Sequence, residues 1–302
     1  MSIKSSRQAT TWHLYRRIIE KFILPDLGNI RLRDLKPEHL QSLYDRKLEA
    51  GLGVRSVQQT HSVLHVALKG AVNLGMIARN PAAAVTRPKQ AQKEMSIYDE
   101  NQVKTLLVSA RERGDRNFAL YQLAITSGMR MGELLGLKWV DLEWERRELQ
   151  VRRQVRRKVG GGHEYVTPKT KAGKRTILLG KSTLEVLRMH LEEQYRVKLV
   201  AGDRWQDRGL VFPSKIGTPM DAGTLRKEFK VASRKARLPG IRFHDLRHTA
   251  ASLMLNYSIP VIIVSRRLGH SKPSITLDVY GHLIPSKQEE AAELMDDIVK
   301  SF

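Results

Sequence analysis

Residues 243–251 read FHDLRHTAA and place His244, Arg247 and His248 within about one turn of each other on a helix. A phosphate group at this position would meet two kinds of hydrogen-bond donor, imidazole and guanidinium. On composition alone, histidines that are solvated or satisfied inside a core explain the same residues. A zinc site on the His-x3-His spacing is disfavoured, because the glutamate of the metalloprotease motif is missing and the chain has no cysteine.

A second cluster follows downstream, where residues 268–282 read LGHSKPSITLDVYGH and contain His270 and Tyr280. The pattern predicts a helix over 260–268, a glycine turn, and a further helix that Ser274 caps and that ends near Tyr280. This arrangement is also typical of a helix-turn-helix DNA reader. A DNA reader needs Arg, Asn or Gln facing base edges, whereas the second helix offers mostly Ile, Thr, Leu and Asp. Tyr280 taken alone is typical of a packed amphipathic helix.

Two basic residues upstream extend the pattern. Arg130 lies at the start of an apolar helix in residues 126–139, TSGMRMGELLGLKW, where burying a guanidinium without a partner is costly. Glu133 is a structural partner of the right charge, and a phosphate oxygen is the functional alternative. Lys169 lies at the tip of a predicted hairpin, although Lys171 on the same turn is an alternative to it and a solvated basic turn would look similar.

The residues before this region read as helices only. Apolar residues recur at helical spacing in three segments, the last of which begins at a cap on Ser56. We therefore predict an all-helical N-terminal domain over residues 1–86. Residues 87–96 follow as an exposed linker, since they are mostly polar, basic and without periodicity.

The remainder, residues 97–302, combines helices with a short β segment. From Glu148 to Leu179, apolar and polar residues alternate in three runs, the first over residues 149–155, with glycine-containing turns between the runs. This pattern predicts a three-stranded antiparallel sheet. Ser182 with Glu185 forms a predicted capping box for the next helix. The predicted fold class is thus mainly α with a small antiparallel β-sheet, an all-helical domain being followed by an α+β domain.

The charge balance favours a polyanionic partner. The chain of 302 residues has 53 Lys and Arg against 31 Asp and Glu, a formal net charge of +22 that exceeds what solubility requires. A membrane partner is disfavoured, because no apolar run approaches about 20 residues and the N-terminus lacks a signal core. The lack of cysteine excludes disulfides, thiolate zinc sites and a cysteine nucleophile. We expect a cytoplasmic protein that binds nucleic acid.

The order of these signals is specific, although each signal alone is weak. An arginine in a Gly-Met-Arg-x-Gly-Glu setting, a hairpin lysine, His-x-x-Arg, Leu-Gly-His and a tyrosine ten residues later follow one another along the chain. This series resembles the tyrosine recombinase, or phage integrase, family. The resemblance implies six catalytic residues, which are Arg130, Lys169, His244, Arg247, His270 and the nucleophile Tyr280.

The resemblance implies a site-specific recombinase or integrase whose catalytic domain spans roughly residues 97–302 and whose N-terminal unit is the core-binding domain. Tyr280 would attack a phosphate to give a 3′-phosphotyrosine, and Lys169 would protonate the leaving 5′ oxygen. Cations, including protonated histidines, are expected to favour the phenolate of Tyr280, whose usual pKa is about 10. These side chains would replace a metal, so we expect no cofactor and no ATP.

The implied partner is double-stranded DNA carrying attachment-type sites. Four subunits would assemble on it through a Holliday junction, joined by a terminal helix that a capping box at Ser286 opens and that docks on a neighbouring protomer. An accessory directionality factor is a further expected partner, and the protein would be bacterial or phage-encoded and nucleoid-associated. The basic residues expected to contact phosphates are Arg152, Arg153, Arg156, Arg157, Lys171, Lys174 and Arg175.

Two other functions share part of this evidence. A type IB topoisomerase would use the same chemistry without exchanging DNA partners, and the docking helix argues against it. A DNA-binding regulator without catalysis is disfavoured because the residue set is complete. The strong basic charge and the terminal helix favour a mobile-element integrase. No arm-binding domain of the kind that such members often carry is visible, so the chain either lacks that domain or is truncated.

Overall fold

The computed structural model describes residues 9–89, 95–158, 160–168, 170–281 and 288–300. The chain divides into two compact units, Met1–Glu94 and Met95–Phe302. Each unit has a hydrophobic core of its own. Within the described parts, no helix is long and apolar enough to cross a membrane.

The N-terminal unit is helical, as its hydrophobic spacing predicts. Its first helix continues through a π-helical turn at Ile19–Ile23. The longest helix begins directly after Gly53, so the predicted cap at Ser56 is wrong. Tyr44 is fully buried, and its hydroxyl is hydrogen-bonded to His61 Nδ1 at 3.1 Å. The helices are α1 (Ala9–Ile18), α2 (Leu24–Leu27), α3 (Pro37–Glu49) and α4 (Val54–Asn73).

The C-terminal unit combines helices with two small β-sheets. Its helices are α5 (Glu100–Glu112), α6 (Phe118–Ser127), α7 (Met131–Leu135), α8 (Lys181–Ala201), α9 (Ala222–Lys235), α10 (Asp245–Asn256), α11 (Val261–Leu268), α12 (Pro273–Tyr280) and α13 (Gln288–Lys300). Its strands are β1 (Leu142–Glu143), β2 (Glu148–Val151), β3 (Gln154–Arg157), β4 (His163–Val166) and β5 (Arg175–Leu178). The strands lie between α7 and α8 in the chain, as the alternating segment predicts.

The β segment does not form the single three-stranded sheet that we predicted. The predicted strand over 149–155 ends at Val151, and a new strand begins at Gln154. Strand β2 pairs antiparallel with β1 and β5, whereas β3 pairs antiparallel with β4 in a separate hairpin. The break coincides with Arg153, whose guanidinium turns aside to pair with the buried carboxylate of Asp141.

The register of β2 places one apolar face against the core. Leu149 lies opposite Leu142 on β1 and opposite Ile177 on β5, and all three side chains are buried. In the hairpin, Val155 lies opposite Tyr165. Residues 167–174 connect β4 to β5, and these two strands belong to different sheets, so the hairpin expected to carry Lys169 at its tip is not formed by the described strands.

Helix α7 and strand β3 approach so closely that glycine is required on the helix. A Cβ atom on Gly132 would lie 3.0 Å from the carbonyl oxygen of Val155, and one on Gly136 would lie 3.0 Å from the nitrogen of Val155. The glycines of the GMRMGELLG segment thus allow the hairpin to lie directly against the helix that follows Arg130.

Two helices begin one residue before the serine that was predicted to cap them. Helix α8 begins at Lys181 after Gly180, and α12 begins at Pro273 after Lys272, so Ser182 and Ser274 lie inside their helices. Proline at the first helical position is favoured because its missing N–H has no helical acceptor to lose there. The predicted capping box at residues 286–289 begins outside the described residues.

Candidate active site

Arg247 forms the buried centre of the site. It lies in the first turn of α10, and only 5% of it is exposed. Its Nη1 donates a hydrogen bond to the carbonyl oxygen of Gly128 at 2.6 Å, while its Nη2 has no partner among the described residues. Burial, and next the charge of Arg130, lower the pKa of Arg247 to about 9. Because an unpaired buried donor is costly, Nη2 indicates a place for an anion.

Gly128 makes this contact available. It ends α6 in the left-handed conformation with φ of 64°, which glycine adopts without strain. A Cβ atom there would lie 2.5 Å from the side chain of Leu268 on α11. The glycine of the Gly-Met-Arg segment therefore serves both the turn and the packing of α11 behind the site.

Arg130 is held by the helix that it begins. Its Nη1 donates to Glu133 Oε1 at 2.9 Å, and its Nη2 donates to the carbonyl oxygen of Gly269 at 3.3 Å. Its side chain remains partly exposed, whereas Glu133 is 2% exposed. The predicted partnership of Glu133 with Arg130 is thus present, and part of the guanidinium still faces outward for a ligand.

Glu133 holds a second arginine that the sequence did not connect with it. Arg175 Nη2 donates to Glu133 Oε2 at 2.9 Å, and Arg175 Nε donates to the carbonyl oxygen of Arg267 at 2.7 Å. Burial would raise the pKa of Glu133, but the hydrogen bonds and charges of Arg175 and Arg130 outweigh it and keep that pKa below its usual value. Arg175 is buried in this ion pair, so the expectation that it contacts DNA phosphates from the surface is not met.

Gly269 lets these parts meet. It ends α11 with φ of 71°, and a Cβ atom there would lie 2.8 Å from Arg175 Nη1 and 2.9 Å from the carbonyl oxygen of Ala172. The glycine of the Leu-Gly-His motif therefore allows the turn at Lys171–Gly173 to pack against the end of α11. This contact brings the turn that precedes β5 next to the segment that carries His270.

The histidines of the site are neutral in this geometry, contrary to the expectation that protonated histidines contribute positive charge. His270 Nδ1 is hydrogen-bonded to the buried hydroxyl of Thr276 at 2.8 Å. Burial, and then the charges of Arg247 and Arg130, lower the pKa of His270 to about 4. Partial burial, His248 and Arg247 also lower the pKa of His244, although His244 stays exposed on one side.

Tyr280 is buried at the end of α12, with 1% of it exposed. Its hydroxyl is hydrogen-bonded to His248 Nδ1 at 2.6 Å. Burial raises the pKa of Tyr280 to about 12, Asp245 adds to the rise, and Arg247 opposes it. Arg247 thus lowers the pKa of Tyr280 as expected for a neighbouring cation, but burial outweighs it and the net shift is upward.

His248 is a site residue that the sequence interpretation did not assign. The signal in the sequence was its position directly after Arg247 and one helical turn after His244. In the structure, the rings of His248 and His244 make an edge contact at a centroid distance of 5.4 Å. The partner of His248, Tyr280, is 32 residues away in the chain. Only the folding of α12 against α10 brings the two side chains together.

The remaining predicted residues differ in their surroundings. Lys169 and the side chain of Lys171 lie outside the described residues, while Lys174 is exposed. Arg152 and Arg157 are exposed, and Arg156 is half-buried. Arg153 is bound to Asp141 and has a structural role. The structure thus brings together Arg130, Glu133, His244, Arg247, His270 and Tyr280 of the predicted site and adds His248 and Arg175.

The arrangement fits a single phosphate group. The guanidinium of Arg247 acts on both Arg130 and Tyr280, and its buried Nη2 is unpaired among the described residues. The hydroxyl of Tyr280 is in turn hydrogen-bonded to an imidazole. Guanidinium N–H groups match the geometry of phosphate oxygens, and a hydroxyl beside a neutral base is the usual form of an activated nucleophile. The site can therefore bind a phosphodiester and direct the hydroxyl of Tyr280 at it.

Comparison with known proteins agrees with this geometry. The model of the phage integrase family matches residues 97–287, and the model of the N-terminal SAM-like domain of phage integrases matches residues 2–48. A tyrosine recombinase XerC-like protein of Caldanaerobacter subterraneus subsp. tengcongensis is 30% identical over 314 aligned residues, which cover 98% of this chain and 80% of the relative. An integrase of Streptomyces ambofaciens is 32% identical over 296 residues, covering 93% of this chain and 73% of the relative.

A solved structure shows the same fold. The Tn1549 transposon integrase in complex with transposon right end DNA superposes with a TM-score of 0.82 at 19% identity, covering 97% of this chain and 95% of the other. This likeness confirms the predicted fold class, mainly α with small antiparallel β structure.

Proposed function

Because the chain belongs to the phage integrase family, the tyrosine-type site-specific DNA recombinases, we propose that it cuts and rejoins DNA through a covalent bond between Tyr280 and a 3′ phosphate. The observation that carries this proposal is the buried guanidinium of Arg247, whose Nη2 has no partner among the described residues. Its charge acts on Arg130, His270 and Tyr280, which supports assigning the four groups to one phosphate.

In the proposed reaction, Arg130 and Arg247 hold the phosphate oxygens of the strand to be cut. The oxygen of Tyr280 forms a bond to phosphorus, and the bond from phosphorus to the 5′ oxygen breaks. Lys169 gives that oxygen its proton, which leaves a 3′-phosphotyrosine and a free 5′ hydroxyl. The two arginines offset the extra charge of the five-coordinate phosphate, a task in which losing one donor costs about 10²- to 10³-fold in rate. The phosphotyrosine bond keeps the energy of the phosphodiester, so ligation of a new strand needs no ATP.

The two units have separate tasks in this scheme. We assign residues 1–86 to a core-binding domain, residues 87–96 to the linker and residues 97–302 to the catalytic domain. Exposed arginines such as Arg152 and Arg157 then contact the DNA backbone. Since such contacts release counterions, the affinity for DNA falls steeply as salt rises.

Helix α13 supports assembly on DNA. It contains five acidic residues and one lysine in a chain whose net charge is +22, so DNA repels it whereas a second protomer does not. Leu294, Met295 and Val299 are exposed on it. We assign this helix to docking on a neighbouring protomer, which gives a homotetramer that exchanges strands through a Holliday junction. The relative named as an integrase supports a role in a mobile element. We further assign the protein to the bacterial nucleoid, with a separate directionality factor that sets the balance between integration and excision.

The test uses suicide duplexes, in which a nick beside the cut site lets the 5′ fragment diffuse away, built from the genomic flanks of the element. The full chain should form a covalent protein–DNA adduct, and Tyr280→Phe should form none. Arg247→Lys should keep the positive charge but lose about 10²-fold or more in rate, because lysine cannot give two directed donors. An adduct that Tyr280→Phe forms as well as the wild type, or no adduct on any flanking site, would show that the proposed function is wrong.

A further inference from the structure

The hydroxyl of Tyr280 has one hydrogen-bond partner that the proposed reaction leaves without a role. This partner is His248 Nδ1, 2.6 Å away, and the two rings are 5.7 Å apart between centroids. Tyr280 is almost fully buried, so bulk water does not reach its hydroxyl to accept a proton. A tyrosine that attacks phosphorus must lose its proton as the new bond forms. The buried hydroxyl therefore needs a base within the site to receive this proton.

We infer that His248 Nδ1 takes the proton of Tyr280 during strand cleavage and returns it during ligation, an inference that rests on the proposed role of Tyr280 as nucleophile. As the oxygen of Tyr280 bonds to phosphorus, its O–H bond breaks and the proton moves to Nδ1. The 5′ oxygen leaves with a proton from a different donor, Lys169 in the proposed scheme. In ligation the 5′ hydroxyl attacks phosphorus and gives its proton to the neutral amine of Lys169, while the Tyr280 oxygen leaves and takes its proton back from His248.

The surroundings of His248 keep its imidazole able to accept a proton. Burial lowers the pKa of His248, Asp245 opposes that shift, and Arg247 and Arg242 add to it. A neutral imidazole has one nitrogen lone pair, and Nδ1 carries it when the Tyr280 hydroxyl donates to Nδ1 and the ring proton is on Nε2. The charged and titratable groups that face the ring are Arg242, His244, Asp245 and Arg247 from its own segment, His270 from the end of α11, and Tyr280 from α12.

Transfer of the proton has to accompany attack rather than precede it. The pKa of Tyr280 is raised to about 12, whereas that of His248 lies below the usual 6.5, so the proton stays on the hydroxyl before the reaction. Bonding to phosphorus makes the phenolic oxygen far more acidic, and the proton then moves to the nearest base. Such general-base assistance is worth about 10²- to 10⁴-fold in rate.

A purely structural role predicts different behaviour, and His248→Asn separates the two. Asparagine places an acceptor oxygen near the position of Nδ1, so it keeps a hydrogen bond to Tyr280 but cannot take up a proton. If His248 only holds the hydroxyl, His248→Asn cleaves suicide duplexes like the wild type. If His248 is the base, His248→Asn binds DNA normally but forms the covalent adduct about 10²- to 10⁴-fold more slowly.

A second substrate identifies the step that is lost. In a duplex with sulfur in place of the leaving 5′ oxygen, the leaving group departs without a proton, so loss of the acid no longer matters. We expect sulfur to restore Lys169→Ala and to leave His248→Asn slow, because sulfur does not replace the base for Tyr280. Rescue of His248→Asn by sulfur would overturn the inference, since His248 would then act on the leaving group.

The matched control is a second tyrosine–histidine pair among the described residues, Tyr44 and His61, in which the same atoms are joined at 3.1 Å. His61→Asn should cleave at the wild-type rate when DNA is saturating. Wild-type rates for His248→Asn, in a protein whose wild type forms the adduct, would overturn the inference and leave the proposed function intact. Failure of the wild type itself to form an adduct would instead contradict the proposed function.

Discussion

At the scale of single residues, the carboxylate of Glu133 compensates the positive charge of two arginines in the site. It is the shared acceptor for Arg130 and Arg175, and it is almost fully buried. Glu133→Gln should lower the free energy of unfolding at pH 7 by about 3–5 kcal/mol, because breaking a buried pair leaves an uncompensated charge. Urea denaturation measures the change. The exposed pair of Glu193 and Arg196 provides the control, since Glu193→Gln should alter stability by no more than about 0.5 kcal/mol.

The effect of pH on this pair has a defined sign. The pKa of Glu133 is lower in the folded protein than its usual value, so its ionised form stabilises the fold above the unfolded pKa of about 4.3. That contribution is lost as pH falls through the lower folded value. The difference in stability between wild type and Glu133→Gln should therefore be largest near pH 7 and shrink in acid. A difference that stays constant down to the acid transition would contradict the ion-pair explanation.

The histidines should titrate in response to the DNA phosphate. His270 is neutral near pH 5.5 because burial, Arg247 and Arg130 lower its pKa to about 4. A phosphate bound at the arginines favours the protonated imidazole and raises that pKa, so DNA binding should take up protons. Calorimetry measures this proton uptake, as the difference between binding heats at pH 5.5 in buffers of different ionisation enthalpy. The proton uptake should disappear at pH 8 and should be smaller in His270→Gln. Equal heats in all buffers at pH 5.5 would show that the phosphate does not approach His270.

The sequence locates those site residues that have a local pattern around them. Arg130 follows a helix-ending glycine, and Arg247 has His244 one turn away, so short motifs are sufficient to find them. Arg175 could not be connected with Glu133, because 42 residues separate them and a basic turn surrounds Arg175. The raised pKa of Tyr280 was also beyond prediction, since the sign depends on burial and not on the nearest charge.

At the scale of elements, the contact between α7 and β3 positions the hairpin beside Arg130. Gly132→Ala should lower stability by about 1–3 kcal/mol and slow cleavage, because its Cβ would press on the backbone of Val155, which cannot step aside as a side chain can. Denaturation in urea and the rate of adduct formation measure both effects. The control is Gly70→Ala inside α4, where the surroundings are open, so stability should rise by about 0.5–1 kcal/mol because alanine favours a helix interior over glycine. Wild-type stability in Gly132→Ala would show that the helix and hairpin are less tightly packed than described.

The elements themselves were predictable in kind but not in pairing. Helical spacing predicts a helix over 260–268, which is one residue from the observed start of α11 at Val261, because an apolar face repeats over two turns. The alternation over 149–155 does not show that the strand breaks. A charged residue gives the same sequence pattern whether it points to solvent from a continuous strand or lies at a break between two strands. The break coincides with the ion pair between Arg153 and the buried carboxylate of Asp141, which lies 12 residues away in the chain.

At the scale of the whole molecule, an acidic helix at the end of a basic chain points to contact between protomers. Leu294 is 61% exposed on α13. Burying a leucine against a partner stabilises the complex by about 1.5–3 kcal/mol, which corresponds to about 10- to 100-fold in the association constant of each docking contact. Leu294→Asp should therefore still form the covalent adduct as a single subunit while losing assembly on a four-way DNA junction, as sedimentation velocity can measure. Leu199→Asp is the matched control, because Leu199 is 82% exposed at the end of α8 and should tolerate the same change. If Leu294→Asp assembled like the wild type, α13 would not be the docking element, and the acidic charge would need another partner.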